Sequence, residues 1–277
     1  MPAELGLFLS TLRIADPAEA CRVARGLGFR VVQIGRLRDD QLTPAAVDRL
    51  GAALAGEGLV AEALTAVFEG ESYADVEAVR RTVGFLPEAT TEARVGHCRR
   101  LVDAAAALGI GLVTTHVGFL PSDRSDPDYE RVRRATAEVA AYAAGHGVRL
   151  GLETGQETAD ELLAFLERLG APAWVNFDGA NFVAYGMGDP LATLELLYPR
   201  TVGVHVKDYQ PQSDPSQLGR PCPLGHGAAR VDDTIRWLLA HNWPRPLLIE
   251  TYHDVDPPAR VGEAREYLAR LVASVSD

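Results

Sequence analysis

Residues 149–178 read RLGLETGQETADELLAFLERLGAPAWVNFD. Two short apolar runs, 149–153 and 173–178, flank a stretch over 158–169 whose apolar residues recur at three-to-four spacing, and Gly170 stands where that helix should stop. Strand, helix and strand in this order imply a parallel pair joined by a crossover. Both strands end in a carboxylate, Glu153 and Asp178.

The same unit repeats outward in both directions. Further strand candidates lie at 6–12, 30–34, 60–68, 112–117, 202–207 and 246–250, and helical patterns at 17–27, 44–57, 92–108, 129–146, 190–197, 231–241 and 257–273. Asp16-Pro17, Thr43-Pro44 and Asp189-Pro190 each place a capping side chain before a proline suited to a first helical turn. Gly28, Gly58, Gly109, Gly147 and Gly170 mark the opposite ends. Eight strands alternating with helices give an α/β chain with a parallel sheet, and that number favours closure into a (β/α)8 TIM barrel. The length, 277 residues, is close to the roughly 250 of such a barrel, so residues 1–277 are expected to form one domain. An open nucleotide-binding sheet would carry a Gly-rich turn after its first strand, and Ser10-Thr11-Leu12-Arg13-Ile14 has none.

Composition narrows the function. The formal charge is −11, and no cluster of Lys and Arg offers a face to a phosphate backbone, so nucleic acid is not an expected partner. Cys21, Cys98 and Cys222 have no CxxC spacing, which argues against a disulfide framework and a structural zinc site and fits a reducing cytoplasm. No apolar run is long enough for a membrane span, and Met1-Pro2-Ala3-Glu4-Leu5 does not begin a signal peptide, so a soluble cytoplasmic protein is expected.

Four successive strands end in side chains that bind metals: Leu152-Glu153, Phe177-Asp178, Val204-His205 and Ile249-Glu250. In a TIM barrel the strand ends and the loops after them build the active site, so these groups converge although they are distant in sequence. Three carboxylates and one imidazole suit one divalent ion, with Mn2+ the first expectation and Mg2+, Co2+ or Zn2+ also fitting. Without a cation, three neighbouring carboxylates repel, and at least one takes up a proton. Each acid alone reads equally well as a solvated strand end; the four together do not.

With these segments, and with Thr115-His116, Gly179-Ala180-Asn181, Val206-Lys207-Asp208 and Pro223-Leu224-Gly225-His226-Gly227, the chain resembles the sugar phosphate isomerase/epimerase family of xylose isomerase-like TIM barrels from about Gly6 to its end. That family includes ketose 3-epimerases, inosose dehydratase-like proteins and, more distantly, endonuclease IV. The resemblance implies one metal ion held by Glu153, Asp178, His205 and Glu250, with Glu153 and Glu250 as the catalytic pair that moves protons on opposite faces of a carbohydrate or cyclitol. It also implies a substrate-hydroxyl contact at His116. Lys207 either polarises a substrate oxygen or pairs with a neighbouring acid. Asn181 either binds a substrate hydroxyl or caps the turn leaving its strand; ketose 3-epimerases carry histidine there. His226 stands where close relatives are acidic and is either a substrate contact or a loop residue, and His253 is open in the same way. His97 and Cys98 read as ordinary helix residues, and Trp174, Trp237 and Trp243 as packing.

Loops 69–91 and 210–230 follow strands and should overhang the same mouth. The apolar Thr82-Val83-Gly84-Phe85-Leu86 reads either as a lid over the substrate or as the interface of a homodimer. The expected activity is a metal-dependent isomerase or epimerase of a sugar, keto-sugar or cyclitol. Its rivals are a lyase or dehydratase that begins with the same proton abstraction, and a non-catalytic sugar-binding barrel. Phosphodiester cleavage would need more ligands and a basic surface.

Overall fold

The computed structural model describes residues 3–252 and 255–276. Strands β1 (Leu5–Phe8), β2 (Val31–Gly35), β3 (Val60–Ala66), β4 (Leu112–Thr115), β5 (Arg149–Glu153), β6 (Trp174–Asp178) and β7 (Thr201–Val206) pair in order, all parallel. After β7 the chain forms a short antiparallel pair, β8 (Asp208–Gln210) with β9 (Arg220–Cys222). Strand β10 (Leu247–Ile249) then enters between β7 and β1 and closes the barrel. The helices are α1 (Pro17–Gly26), α2 (Pro44–Glu57), α3 (Val76–Thr82), α4 (Glu88–Leu108), α5 (Pro127–Gly145), α6 (Ala159–Arg168), α7 (Gly179–Tyr185), α8 (Pro190–Leu197), α9 (Val231–Ala240) and α10 (Pro257–Ser276). The TIM barrel expected from the repeated unit is the fold observed.

Local chemistry sets the helix ends. The Asp16 side chain accepts from Ala18 N (3.1 Å) and that of Asp189 from Ala192 N (2.9 Å), both ahead of an N-terminal proline. Thr43 departs from the expected pattern: its side chain takes no helix N–H and lies 3.5 Å from Asp40 O. The five glycines at the helix ends all have positive φ.

Two kinds of misreading stand out. The apolar run 6–12 is strand only to Phe8, and Leu9–Leu12 is a 3-10 turn that buries Leu9 and Leu12. Hydrophobicity there reports burial, and strand pairing is a separate matter. Helix α7 was not expected, because every one of its residues is buried and no apolar period marks a face.

The core lies between sheet and helices, where Leu7, Val32, Ile34, Leu64, Val113, Leu150, Leu152, Phe177, Val204 and Ile249 are buried. Inside the barrel, by contrast, side chains are polar one layer beneath the mouth. Gln33 Nε2 donates to Thr65 Oγ1 (2.6 Å) and Thr114 Oγ1 (3.2 Å). A Cβ at Gly203 would stand 2.2 Å from Asn176 Oδ1, so this layer needs glycine on β7.

Loops 69–91 and 210–230 meet over the mouth. Strands β3 and β7 lie on opposite sides of the barrel, yet Val76 N donates to Ser216 O at 3.1 Å. Val79, Val83, Phe119, Ala184 and Tyr185 pack together beneath this contact. Val83 and Phe85 are fully buried within the chain, so the apolar segment satisfies itself there.

Candidate metal centre

Side chains alternate along a strand, so the residues two before Glu153, Asp178, His205 and Glu250 share their inward face. Glycine occupies that position at 151 and 203 and asparagine at 176. Glu153 and Asp178 are the last residues of β5 and β6, and His205 is the penultimate residue of β7. Glu250 directly follows β10, its N–H donating to Val206 O (3.1 Å). One ligand atom from each of the four lies within 4.8 Å of the others, and all four residues are buried.

His205 Nδ1 is 2.8 Å from Glu250 Oε2, 3.4 Å from Glu153 Oε1 and 4.0 Å from Asp178 Oδ2. Lys207 Nζ is 2.8 Å from Asp178 Oδ2 and 3.3 Å from Glu250 Oε2. Close as they are, Asp178 Oδ2 and His205 Nδ1 have no aligned hydrogen-bond partner. Buried polar atoms are nearly always paired through aligned hydrogen bonds, so two held by charge contacts alone fit a group that would complete them. A divalent ion meets that need, with oxygen donors dominant and one imidazole nitrogen.

The charges are partly balanced within the site. Burial pushes the Asp178 carboxyl up; Lys207 opposes this, and the neighbouring Glu250 and Glu153 add to it. Burial would lower His205, but Glu153 and Glu250 outweigh it and raise the imidazole to about 10. Burial raises Glu250, yet Lys207 and His205 more than offset this and hold it low. Against its burial, Glu153 is also held low by His116 and His205, so the two glutamates are balanced by the His205 and Lys207 cations, and only Asp178 shifts in the direction expected of crowded acids.

Around these four, the structure places the other expected residues as follows. His116 Nε2 lies 3.4 Å from Glu153 Oε1, and its Nδ1 is buried without a partner. Asn181 Nδ2 donates to Glu153 Oε1 (3.3 Å) and Thr154 O (2.9 Å); Asp178 Oδ1 itself caps α7 by accepting from Ala180 N and Asn181 N. Lys207 pairs with two of the acids and lies over the rings of Tyr209 and Tyr252. Asp208 accepts from the backbone N–H groups of Tyr209, Gly227 and Ala229, which fixes the loop after β9. His226 is exposed and lines an outer groove with Thr251 and Tyr267, apart from the four. His253 lies outside the described residues.

Sequence reasoning missed three groups. The Tyr252 hydroxyl donates to Glu250 Oε1, and Phe8 stacks on His205 with ring centroids 5.6 Å apart. Glu157 is buried with Oε1 unpartnered, and burial pushes its carboxyl up to about 8. Glu157 stands between the strand 149–153 and the helical pattern 158–169, where no apolar period marks burial. The tyrosine two residues beyond Glu250 had the spacing to share its face and was the legible signal.

The sequence profile described as xylose isomerase-like TIM barrel matches residues 21–271. No curated protein matches the chain. Among solved structures, a xylose isomerase domain protein from Planctomyces limnophilus is 30% identical with a TM-score of 0.92, over 100% of this chain and 99% of that one. A xylose isomerase-like TIM barrel protein from Mycobacterium smegmatis, in complex with magnesium, is 20% identical with a TM-score of 0.73, over 99% and 98%. An L-ribulose 3-epimerase is 18% identical with a TM-score of 0.75, over 99% and 96%. A probable 3-DHS dehydratase from Bacillus anthracis shares the fold at 15% identity and a TM-score of 0.72, over 96% and 98%.

Proposed function

The chain belongs to the xylose isomerase-like TIM barrel family, and from that premise we propose that it is a divalent-metal-dependent isomerase or epimerase of a sugar, keto-sugar or cyclitol. The observation that carries this reading is the buried quartet Glu153, Asp178, His205 and Glu250, one ligand atom of each within 4.8 Å of the others. These four residues would hold the ion. When bound, a divalent cation supplies the positive charge that makes a carbon acid beside a carbonyl ionisable, by stabilising the enediolate.

The chain's own groups do the rest. Glu153 and Glu250 come from β5 and from the end of β10, three strands apart around the barrel, and approach the same point from different strands, as a pair that removes a proton from a carbon and returns one to it would require. Asn181 and His116 fix the orientation of Glu153 through its Oε1. Tyr252 and Lys207 fix that of Glu250 through Oε1 and Oε2. Lys207 and His116 also place donors where substrate oxygens would lie. Closure of loops 69–91 and 210–230 over the mouth would limit water access, favouring a small-molecule substrate over a polymer.

A lyase or dehydratase reading shares the first proton transfer and is supported by the fold shared with a probable 3-DHS dehydratase. Glu153→Gln and Glu250→Gln test both readings together. Each is expected to lower turnover by about a thousandfold or more, since each removes an obligatory proton carrier; near-normal turnover in either would remove the two-glutamate mechanism.

A further inference from the structure

Loop 69–91 is not a slack lid. Glu71 accepts from Phe68 N (3.2 Å) and Gly84 N (2.9 Å), and Ser72 N donates to Thr82 Oγ1 (2.9 Å). Arg94, itself buried, donates to Thr82 O (2.7 Å), Gly84 O and Glu69 O (3.4 Å). Phe85 N donates to Val117 O (3.0 Å), and Gly84 packs so close to that strand end that a Cβ would stand 2.1 Å from Val117 C. Each bond ties the loop to its own base or to the β4 loop.

On this fixed support sits Tyr73. It is 39% exposed, one of few large apolar side chains so open among the described residues. Its ring centroid lies 6.4 Å from that of His116, the residue whose Nε2 is 3.4 Å from Glu153 Oε1. The accessible ring is therefore at the mouth, one residue removed from the candidate catalytic acid. The Tyr73 hydroxyl makes no hydrogen bond to a described residue. Among the charged groups near it are Glu71 and Glu153. An open aromatic face on a rigid loop matches the apolar C–H face of a sugar or cyclitol, since the ring's negative face attracts weakly positive hydrogens. The acids bearing on it would repel a phosphate or carboxylate at that end.

We infer that Tyr73 is a specificity-determining residue: the wall on which the carbon chain of a neutral polyol substrate lies, reached by substrates of about five carbons or more and missed by three-carbon ones. This rests on the proposed function for the site and names its substrate class.

Metal-loaded wild type, Tyr73→Phe and Tyr73→Ala test it in two ways. In turnover, Tyr73→Ala is expected to raise KM for five- and six-carbon ketoses by about tenfold relative to dihydroxyacetone, with kcat changed less, whereas Tyr73→Phe stays within about threefold. Independently of turnover, irradiating aromatic protons of the wild type should saturate the C–H protons of xylitol or myo-inositol, and Tyr73→Ala should lose that transfer. No deuterium exchange in any ketose, with xylitol still saturated through Tyr73, would sink the epimerase reading and keep this one. Equal KM ratios in Tyr73→Ala, no saturation of either polyol by the wild type, or a self-associated protein that Tyr73→Ala dissociates would each overturn the inference.

Discussion

Lys207 Nζ lies 2.8 Å from Asp178 Oδ2 although the two do not align as a hydrogen bond, so a buried ammonium stands beside a carboxylate proposed to hold the metal. Its charge serves two ends that pull apart. It compensates Asp178 and Glu250 in the bare protein, and it opposes a dication among them. Lys207→Met is expected to tighten Mn2+ binding by about tenfold or more, through loss of a like charge a few ångströms away. The same change should lower the stability of metal-free protein by about 3 kcal/mol, because two buried acids lose their partner. Titration calorimetry and melting of the stripped protein read these separately; weaker metal binding would remove Lys207 as a competing charge.

Metal should stabilise the fold. At a concentration about a hundredfold above Kd, binding to the folded state alone contributes about 2.7 kcal/mol. For a barrel of this size that corresponds to a rise in Tm of several degrees, on the order of 2–4 °C per kcal/mol. Chelator should reverse it, and Asp178→Asn should abolish it. An Asp178→Asn protein that still gained the full shift would place the ion elsewhere.

The buried acid at 157 gives a pH test away from the proposed ligands. Its folded value is raised to about 8 from 4.5, so the unfolded chain releases this proton first as pH rises. Stability is then lost progressively between about pH 4.5 and pH 8, and the loss is complete above that window. Glu157→Gln should melt higher than wild type at about pH 9, with a much smaller difference near pH 5. An equal offset at both would mean that Glu157 does not titrate in this window.

Gly155 tests how tightly Asn181 is held against Glu153. At φ +123° a Cβ would stand 2.0 Å from Asn181 Cβ. Gly155→Ala should destabilise the protein by about 3 kcal/mol and pull the amide away from Glu153 Oε1. Turnover should fall with stability; a variant that melts normally would show that α7 can shift to make room.

The legible part of the fold was its repeat. Arg149–Glu153 and Trp174–Asp178 carried enough β-pattern, and α6 enough helical period, for the barrel to follow by repetition. The four candidate ligands were readable for the same reason, since each stands at a strand end. Residues acting through loops were not readable. Tyr73, Glu157 and the α7 segment gain their environment only from tertiary packing, as Tyr73 does against His116 beyond the neighbouring strand, and no local period encodes that. Lys207 was seen as either a substrate contact or an ion-pair partner, and the structure gives it two carboxylates. His226 shows the converse: it belongs to a matching segment, yet its loop turns it toward the outer groove.

The most direct test of the account is proton exchange in heavy water. Metal-stripped and Mn2+-reconstituted protein would be incubated with ketopentoses, ketohexoses, inososes and 3-keto-glycosides, and proton NMR recorded after removal of the paramagnetic ion. Deuterium entering beside the carbonyl of at least one substrate only with metal, and lost in both Glu153→Gln and Glu250→Gln, is the result predicted; the product then separates epimerisation from elimination. Metal bound with no exchange in any substrate, or exchange that persists in stripped protein, would contradict it.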